Sequence, residues 1–178
     1  MTARFLRLTA VFFLSAGVLA LSAASALADP QALGSFRDWS VYQNGTGATQ
    51  VCYALAKPMA SEPKKARRDP IFFLISDWPA RKAKGEPEIV PGYPYKDGSA
   101  VTAQVGADSV TFFTKNDGTD GSAWIKDPAD EQRLITAMRN GAQVIVTGTS
   151  RRGTLTRDTY SLAGISDALD KIHSACGI

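Results

Sequence analysis

The stretch Ala142–Leu162, AQVIVTGTSRRGTLTRDTYSL, decides how the chain is built. It reads as two strands, Ala142–Ser150 and Thr154–Leu162, joined at Ser150-Arg151-Arg152-Gly153, which has the length and glycine placement of a type I turn followed by a left-handed residue. The backbone requires Gly153, whereas it only permits Arg151 and Arg152. A hairpin tip is well solvated, so the plain reading of the two arginines is a solvated turn; the functional one is anion recognition by adjacent forked donors. On the second strand Arg157 and Asp158 alternate to opposite faces and do not pair with each other.

Upstream of this hairpin lies a helix between Asp127 and Gly141. Asp127 can cap it, Pro128 suits the first helical position, Asp130 and Glu131 lie in the positive first turn, and Gly141 supplies a left-handed stop. Leu134, Ile135 and Met138 form the stripe that it buries. Downstream, a last helix from Ser166 to about Ala175 sets Leu169, Ile172 and Cys176 on one face.

The remaining segments are strands and turns. Phe36–Gln43 alternates as one strand, Asn44–Thr49 turns, and Gln50–Lys57 returns. A polar, proline-bracketed loop runs from Pro58 to Pro70. Ile71–Ile75 is a strand buried on both faces. Arg81–Gly92 reads as irregular because prolines recur around it. Ser99–Val105 and Ser109–Lys115 pair across Gly106-Ala107-Asp108, and Ser122–Ile125 follows a further turn. Seven or eight short strands and two short helices, one C-terminal, without regular alternation make the fold mainly β: an antiparallel β-sandwich or barrel-like single domain.

The first 28 residues have the organisation of a secretory signal: Arg4 and Arg7, an apolar run, then Ala26-Leu27-Ala28 before Asp29. The expected domains are a signal peptide at 1–28 and one β-rich domain at 29–178, periplasmic or secreted, with no transmembrane segment in the mature form. All 17 acidic residues lie beyond the leader, which takes two of the 20 basic ones with it. The mature chain is therefore near neutral, which argues against nucleic acid as a partner. In an oxidising compartment Cys52 and Cys176 read as a disulfide, the alternative being two free thiols. The loop so closed is long, and the chain-entropy argument gives on the order of 4–5 kcal/mol.

Several landmarks together resemble a known family: Phe36-x-Asp38-Trp39, Cys52-Tyr53, Ala137-Met138-x-x-Gly141, Arg152-Gly153-Thr154, Asp158-x-Tyr160-Ser161-Leu162-x-Gly164 and the near-terminal Cys176. The mature chain resembles the invasion-associated locus B family of exported bacterial proteins along nearly its whole length. The resemblance implies an exported β-rich fold in a Gram-negative envelope, with relatives linked to host-cell entry. It implies no catalytic or ligand residue.

Catalytic groups are sparse. His173 is the single histidine, and Asp170, three residues earlier on the same helix, is placed to orient it, yet no nucleophile-elbow sequence accompanies them. One histidine and two paired cysteines leave too few ligands for zinc. Asp117-Gly118-Thr119-Asp120 lacks the ligand series of a calcium loop and reads as a turn. No metal or other cofactor is expected. Charge is more informative: from Lys57 to Lys84 there are eight basic residues against three acidic, and from Asp108 to Glu131 six acidic against two basic. The candidate anion-binding residues are Lys64, Lys65, Arg67, Arg68, Arg151 and Arg152, against the plain reading of a solvated loop.

The leading expectation is a disulfide-stapled, non-enzymatic envelope or surface protein with a binding or structural role. Its partners would be an anionic envelope component, a host surface or another exported protein. The alternative is a hydrolase or accessory factor acting on cell-envelope polymers through paired carboxylates such as Asp158 and Glu131.

Overall fold

The computed structural model describes residues 29–178, so the expected leader lies outside the described residues. These residues form one antiparallel sheet of 11 strands with two α-helices. In chain order the strands are β1 (Gln31–Phe36), β2 (Trp39–Asn44), β3 (Val51–Ala56), β4 (Ala60–Glu62), β5 (Phe72–Trp78), β6 (Ala83–Val90), β7 (Ala100–Val105), β8 (Asp108–Asp117), β9 (Asp120–Trp124), β10 (Gln143–Thr149) and β11 (Leu155–Ser161). Helix α1 (Pro128–Asn140) joins β9 to β10, and α2 (Ile165–Cys176) follows β11. Across the sheet the order is β1-β2-β3-β5-β6-β9-β8-β7-β10-β11-β4. The sheet is not closed into a barrel, but its two ends approach. The Trp39 indole N–H donates to the Ser161 carbonyl at 3.1 Å, and the Asp38 N–H to that of Ala163 at 3.3 Å.

Burial follows the alternation of the strands. Trp39 and Val41 on β2, Cys52 and Ala54 on β3, Phe73 and Ile75 on β5, and Tyr160 on β11 are all buried. Phe73 meets the rings of Trp39 and Tyr160 edge-on, the arrangement that aromatic quadrupoles favour. Leu169, Ile172 and Cys176 of α2 are buried where that helix packs on β2, β3 and β5. Helix α1 buries Leu134, Ile135 and Met138 as expected, and its Asp127 carboxylate accepts the Ala129 N–H at 2.9 Å. Among the described residues no helix is long and apolar enough to cross a membrane.

Four expectations need correction. Phe36–Gln43 is two strands, because the chain turns at Arg37, which adopts φ +53°, and folds β2 back on β1. The segment read as irregular contains β6, paired with β5 from Phe72↔Val90 to Trp78↔Ala83. Pro87 is tolerated there because β9 pairs with β6 only at Glu88 and Ile89, so Pro87 lies beyond the end of that ladder. The polar loop holds the three-residue strand β4, paired with β11. Gly141 has φ −95°, so it is not a left-handed stop; it is needed because a Cβ there would press on Val105 and Leu162.

Strand β6 also carries a strained charge. Burial, and secondarily the neighbouring Glu86, raise the Glu88 carboxyl above the usual carboxylate range. The folded state then holds the proton more tightly than the unfolded chain, so this group opposes folding once pH rises through its raised pKa. Glu88→Gln is expected to raise the thermal midpoint at pH 7 and to lose that advantage in acid, where Glu88 is itself protonated. Thermal melts of both proteins across pH check this.

Candidate functional site

The β10–β11 hairpin is built as the sequence indicates. Its strands pair from Gln143↔Ser161 to Thr149↔Leu155. The Gly153 N–H donates to the Ser150 carbonyl at 2.8 Å, and Gly153 has φ +82°. Arg151 and Arg152 at the tip are exposed, while the Arg151 N–H donates to the Pro94 carbonyl at 2.8 Å and ties the tip to the loop after β6.

The basic loop after β4 is anchored on the same strand. Glu62 pairs with Arg157, placing the end of β4 against the outward side of β11. The chain then turns at Pro63–Ala66, with the Ala66 N–H donating to the Pro63 carbonyl at 3.0 Å. It returns to β11 at Arg68, whose Nη1 and Nη2 meet the two Asp158 oxygens at 2.7 and 2.6 Å. The loop is thus held at both ends by adjacent residues of β11, 157 and 158. Lys64, Lys65 and Arg67 between those anchors are exposed. Because β4 runs antiparallel to β11, the loop leaves it toward the hairpin tip. Lys64, Lys65 and Arg67 therefore lie at the same end of the sheet as Arg151 and Arg152.

Arg68 is the exception among the candidate anion-binding residues. Its side chain is 6% exposed and that of Asp158 is 2% exposed. Its Nε also donates to the Pro91 carbonyl at 2.8 Å, and its guanidinium lies 4.9 Å from the centre of the Tyr93 ring. Burial alone would lower the Arg68 pKa, but the hydrogen bonds and charge of Asp158 outweigh it and the net shift is upward. The guanidinium is committed to an internal fork and is not available to an outside anion. The same pairing commits Asp158, one of the two carboxylates considered for hydrolysis.

Around this pair is an aromatic shell. The Tyr93 hydroxyl is 2.5 Å from that of Thr156, and the Thr156 hydroxyl donates to the Gly148 carbonyl at 3.3 Å. The hydroxyls of Tyr95 and Tyr160 are buried without a hydrogen-bond partner among the described residues. Burial raises the pKa of both phenols, which keeps them neutral.

Charge at this end is divided. Arg151 Nη1 is 3.4 Å from the Gly118 carbonyl, in the turn flanked by Asp117 and Asp120. The β8–β9 side is therefore acidic, and the β4–β11 side, with Lys64, Lys65, Arg67, Arg152 and Arg157, is basic. Most of the acidic segment, Asp108 and the start of α1, lies toward the other end. So does a groove of about 730 Å³ between the β7–β8 turn and α1, since Gln104 on β7 pairs with Ile145 near the start of β10.

A second buried carboxylate was not singled out from sequence. Asp77 on β5 is fully buried. One of its oxygens accepts the Gly85 N–H at 2.7 Å, and the other lies 2.6 Å from His173 Nδ1. Asp170, expected to orient His173, instead pairs with Arg139 at 2.8 Å. The Asp77–His173 contact ties α2 to β5 beside the disulfide, since Cys52 pairs with Asp77 across the β3–β5 ladder and the Cys176 sulfur is 3.7 Å from the Asp77 carbonyl. Cys52 and Cys176 are bonded, with a Cα–Cα separation of 5.9 Å. Among the described residues no group of three or more His, Cys, Asp or Glu is arranged to hold a metal ion.

No family model matches the chain, and no curated protein matches it. Among solved structures, invasion associated protein B from Bartonella henselae has a similar fold, with a TM-score of 0.55 and 15% sequence identity over 79% of this chain and 95% of that one. At that identity the likeness is one of fold, and it agrees with the resemblance carried by the sequence landmarks.

Proposed function

We propose that this chain is an exported, non-enzymatic envelope or surface protein that docks onto an anionic envelope component through the basic side of its β10–β11 hairpin end. The observation that carries the reading is the double anchoring of the basic loop on β11. Glu62 opposite Arg157 and Arg68 on Asp158 hold Lys64, Lys65 and Arg67 in place beside the tip that bears Arg152. Cations gathered on a fixed loop present a persistent positive field, and each is worth about 1 kcal/mol near an anionic surface. A disulfide in the core suits the oxidising compartment to which the leader-like residues 1–28 point. The invasion association carried in the name of the Bartonella henselae protein fits an adhesive use of such an end.

The test replaces Lys64, Lys65 and Arg67 together with Ser, leaving Arg68 intact. All three are exposed, so the thermal midpoint is expected to hold. Retention on vesicles containing phosphatidylglycerol at low salt is expected to fall by about a hundredfold. Unchanged retention would overturn the electrostatic reading and leave a neutral scaffold.

A further inference from the structure

Leu155 opens β11 two residues beyond the hairpin tip, and it is 65% exposed. A single exposed leucine on a protein surface is ordinary. This one is distinguished by its setting. On its own strand it shares the outward face with exposed Arg157, the tip beside it carries Arg151 and Arg152, and the clamped loop next to β11 carries Lys64, Lys65 and Arg67. The acidic residues of that loop are Glu62 and Asp69, and Arg151 faces the acidic β8–β9 turn of Asp117 and Asp120. The excess of cations is therefore on the β4–β11 side of the leucine, where Lys64, Lys65, Arg67, Arg152 and Arg157 outnumber Glu62 and Asp69.

The leucine is also rigidly presented. Leu155 pairs with Thr149 in the hairpin ladder, and the Ser150 N–H donates to the Thr154 carbonyl at 2.9 Å, closing the turn immediately before it. With its backbone already held, the segment has little main-chain freedom left to lose on entering another phase.

We infer that this end seats on an anionic lipid bilayer, with the Leu155 side chain entering the headgroup–acyl boundary while the surrounding cations meet lipid phosphates. The inference rests on the docking reading above and commits it to one kind of surface. A hydrated anionic polysaccharide would satisfy the cations but return nothing for a leucine held among them. A bilayer satisfies both, since charge attraction and apolar insertion reinforce each other at its interface.

The experiment compares the wild-type protein, Leu155→Ser, Leu155→Trp and the triple serine variant. Each is tested on two probes at low salt: vesicles of phosphatidylglycerol mixed with phosphatidylcholine, and dextran sulfate as a soluble polyanion. Leu155→Ser is expected to bind the vesicles about tenfold more weakly and dextran sulfate as the wild type does. Leu155→Trp, which carries a side chain suited to the membrane interface, is expected to bind the vesicles at least as well as wild type. Thermal melts confirm that these exposed substitutions leave the fold intact. If Leu155→Ser binds vesicles like wild type, or loses equally on both probes, the bilayer inference is overturned and the polyanion reading takes its place. If the triple serine variant keeps its binding to both probes, the docking reading itself fails, a result distinguishable from failure of the leucine alone.

Discussion

Replacing Cys52 and Cys176 together with Ala is expected to cost the folded protein about 4–5 kcal/mol, read as a fall in the urea midpoint with a steeper slope, because the uncrosslinked chain exposes more surface on unfolding. The bond closes a loop with a sequence separation of 124, long enough for the unfolded chain to lose substantial freedom when it is crosslinked. In the folded state it fastens α2 to β3, where Leu169 and Ile172 already bury that helix and Asp77 holds His173. The helix is therefore expected to remain docked in the reduced protein, so the effect falls on global stability more than on local structure. Total stability of a domain of this size is about 5–15 kcal/mol, and losing such a fraction brings the midpoint well down. An unchanged midpoint in the double variant or under reductant would show that the clasp contributes little.

Asp158→Ala and Arg68→Ala are each expected to destabilise by about 3–5 kcal/mol, because either change leaves the other member buried and charged without its partner. The combined change Arg68→Met with Asp158→Leu is expected to recover most of that loss, since both charges leave the interior together. It will not recover all of it, because Arg68 also donates to Pro91 and lies over Tyr93. A double-mutant cycle by chemical denaturation, built from Arg68→Met, Asp158→Leu and their combination, isolates the coupling between the two side chains. Single variants within about 1 kcal/mol of wild type would mean that water reaches the pair and that it is not the anchor described here. The same singles are expected to expose the Pro63–Asp69 loop to proteolysis, because one of its two anchors is gone.

The elements that the sequence made legible are those with local signals. The β10–β11 hairpin was readable from its arms and from Gly153, α1 from Asp127 and Pro128, and the disulfide from an even cysteine pair behind a leader-like segment, with Cys176 on the apolar face of α2. What escaped was fixed by distant partners. Strand β6 is a strand despite Pro87 because its neighbour stops short of that residue, and neither strand alone reveals this. The turn at Arg37 uses a left-handed arginine where glycine or asparagine is the usual marker. The candidate site was half legible. The basic loop stood out by composition, but nothing local separated Arg68 from Arg67 beside it. A signal did exist on the other side, since strand alternation put Asp158 on the face opposite Arg157, and an inward carboxylate requires a cation. Asp77 offered a similar sign, an acid at the end of an apolar strand. Its partner lay 96 residues away on α2, beyond the reach of local reading.

The central claim is that the hairpin end is an electrostatic docking surface, and the most direct measurement is flotation of the unmodified protein with vesicles of two compositions across a salt series. The account predicts that the protein floats with phosphatidylglycerol-containing vesicles at low salt, is released as salt rises, and stays behind with pure phosphatidylcholine. Equal behaviour with both compositions, or flotation that does not respond to salt, would contradict it.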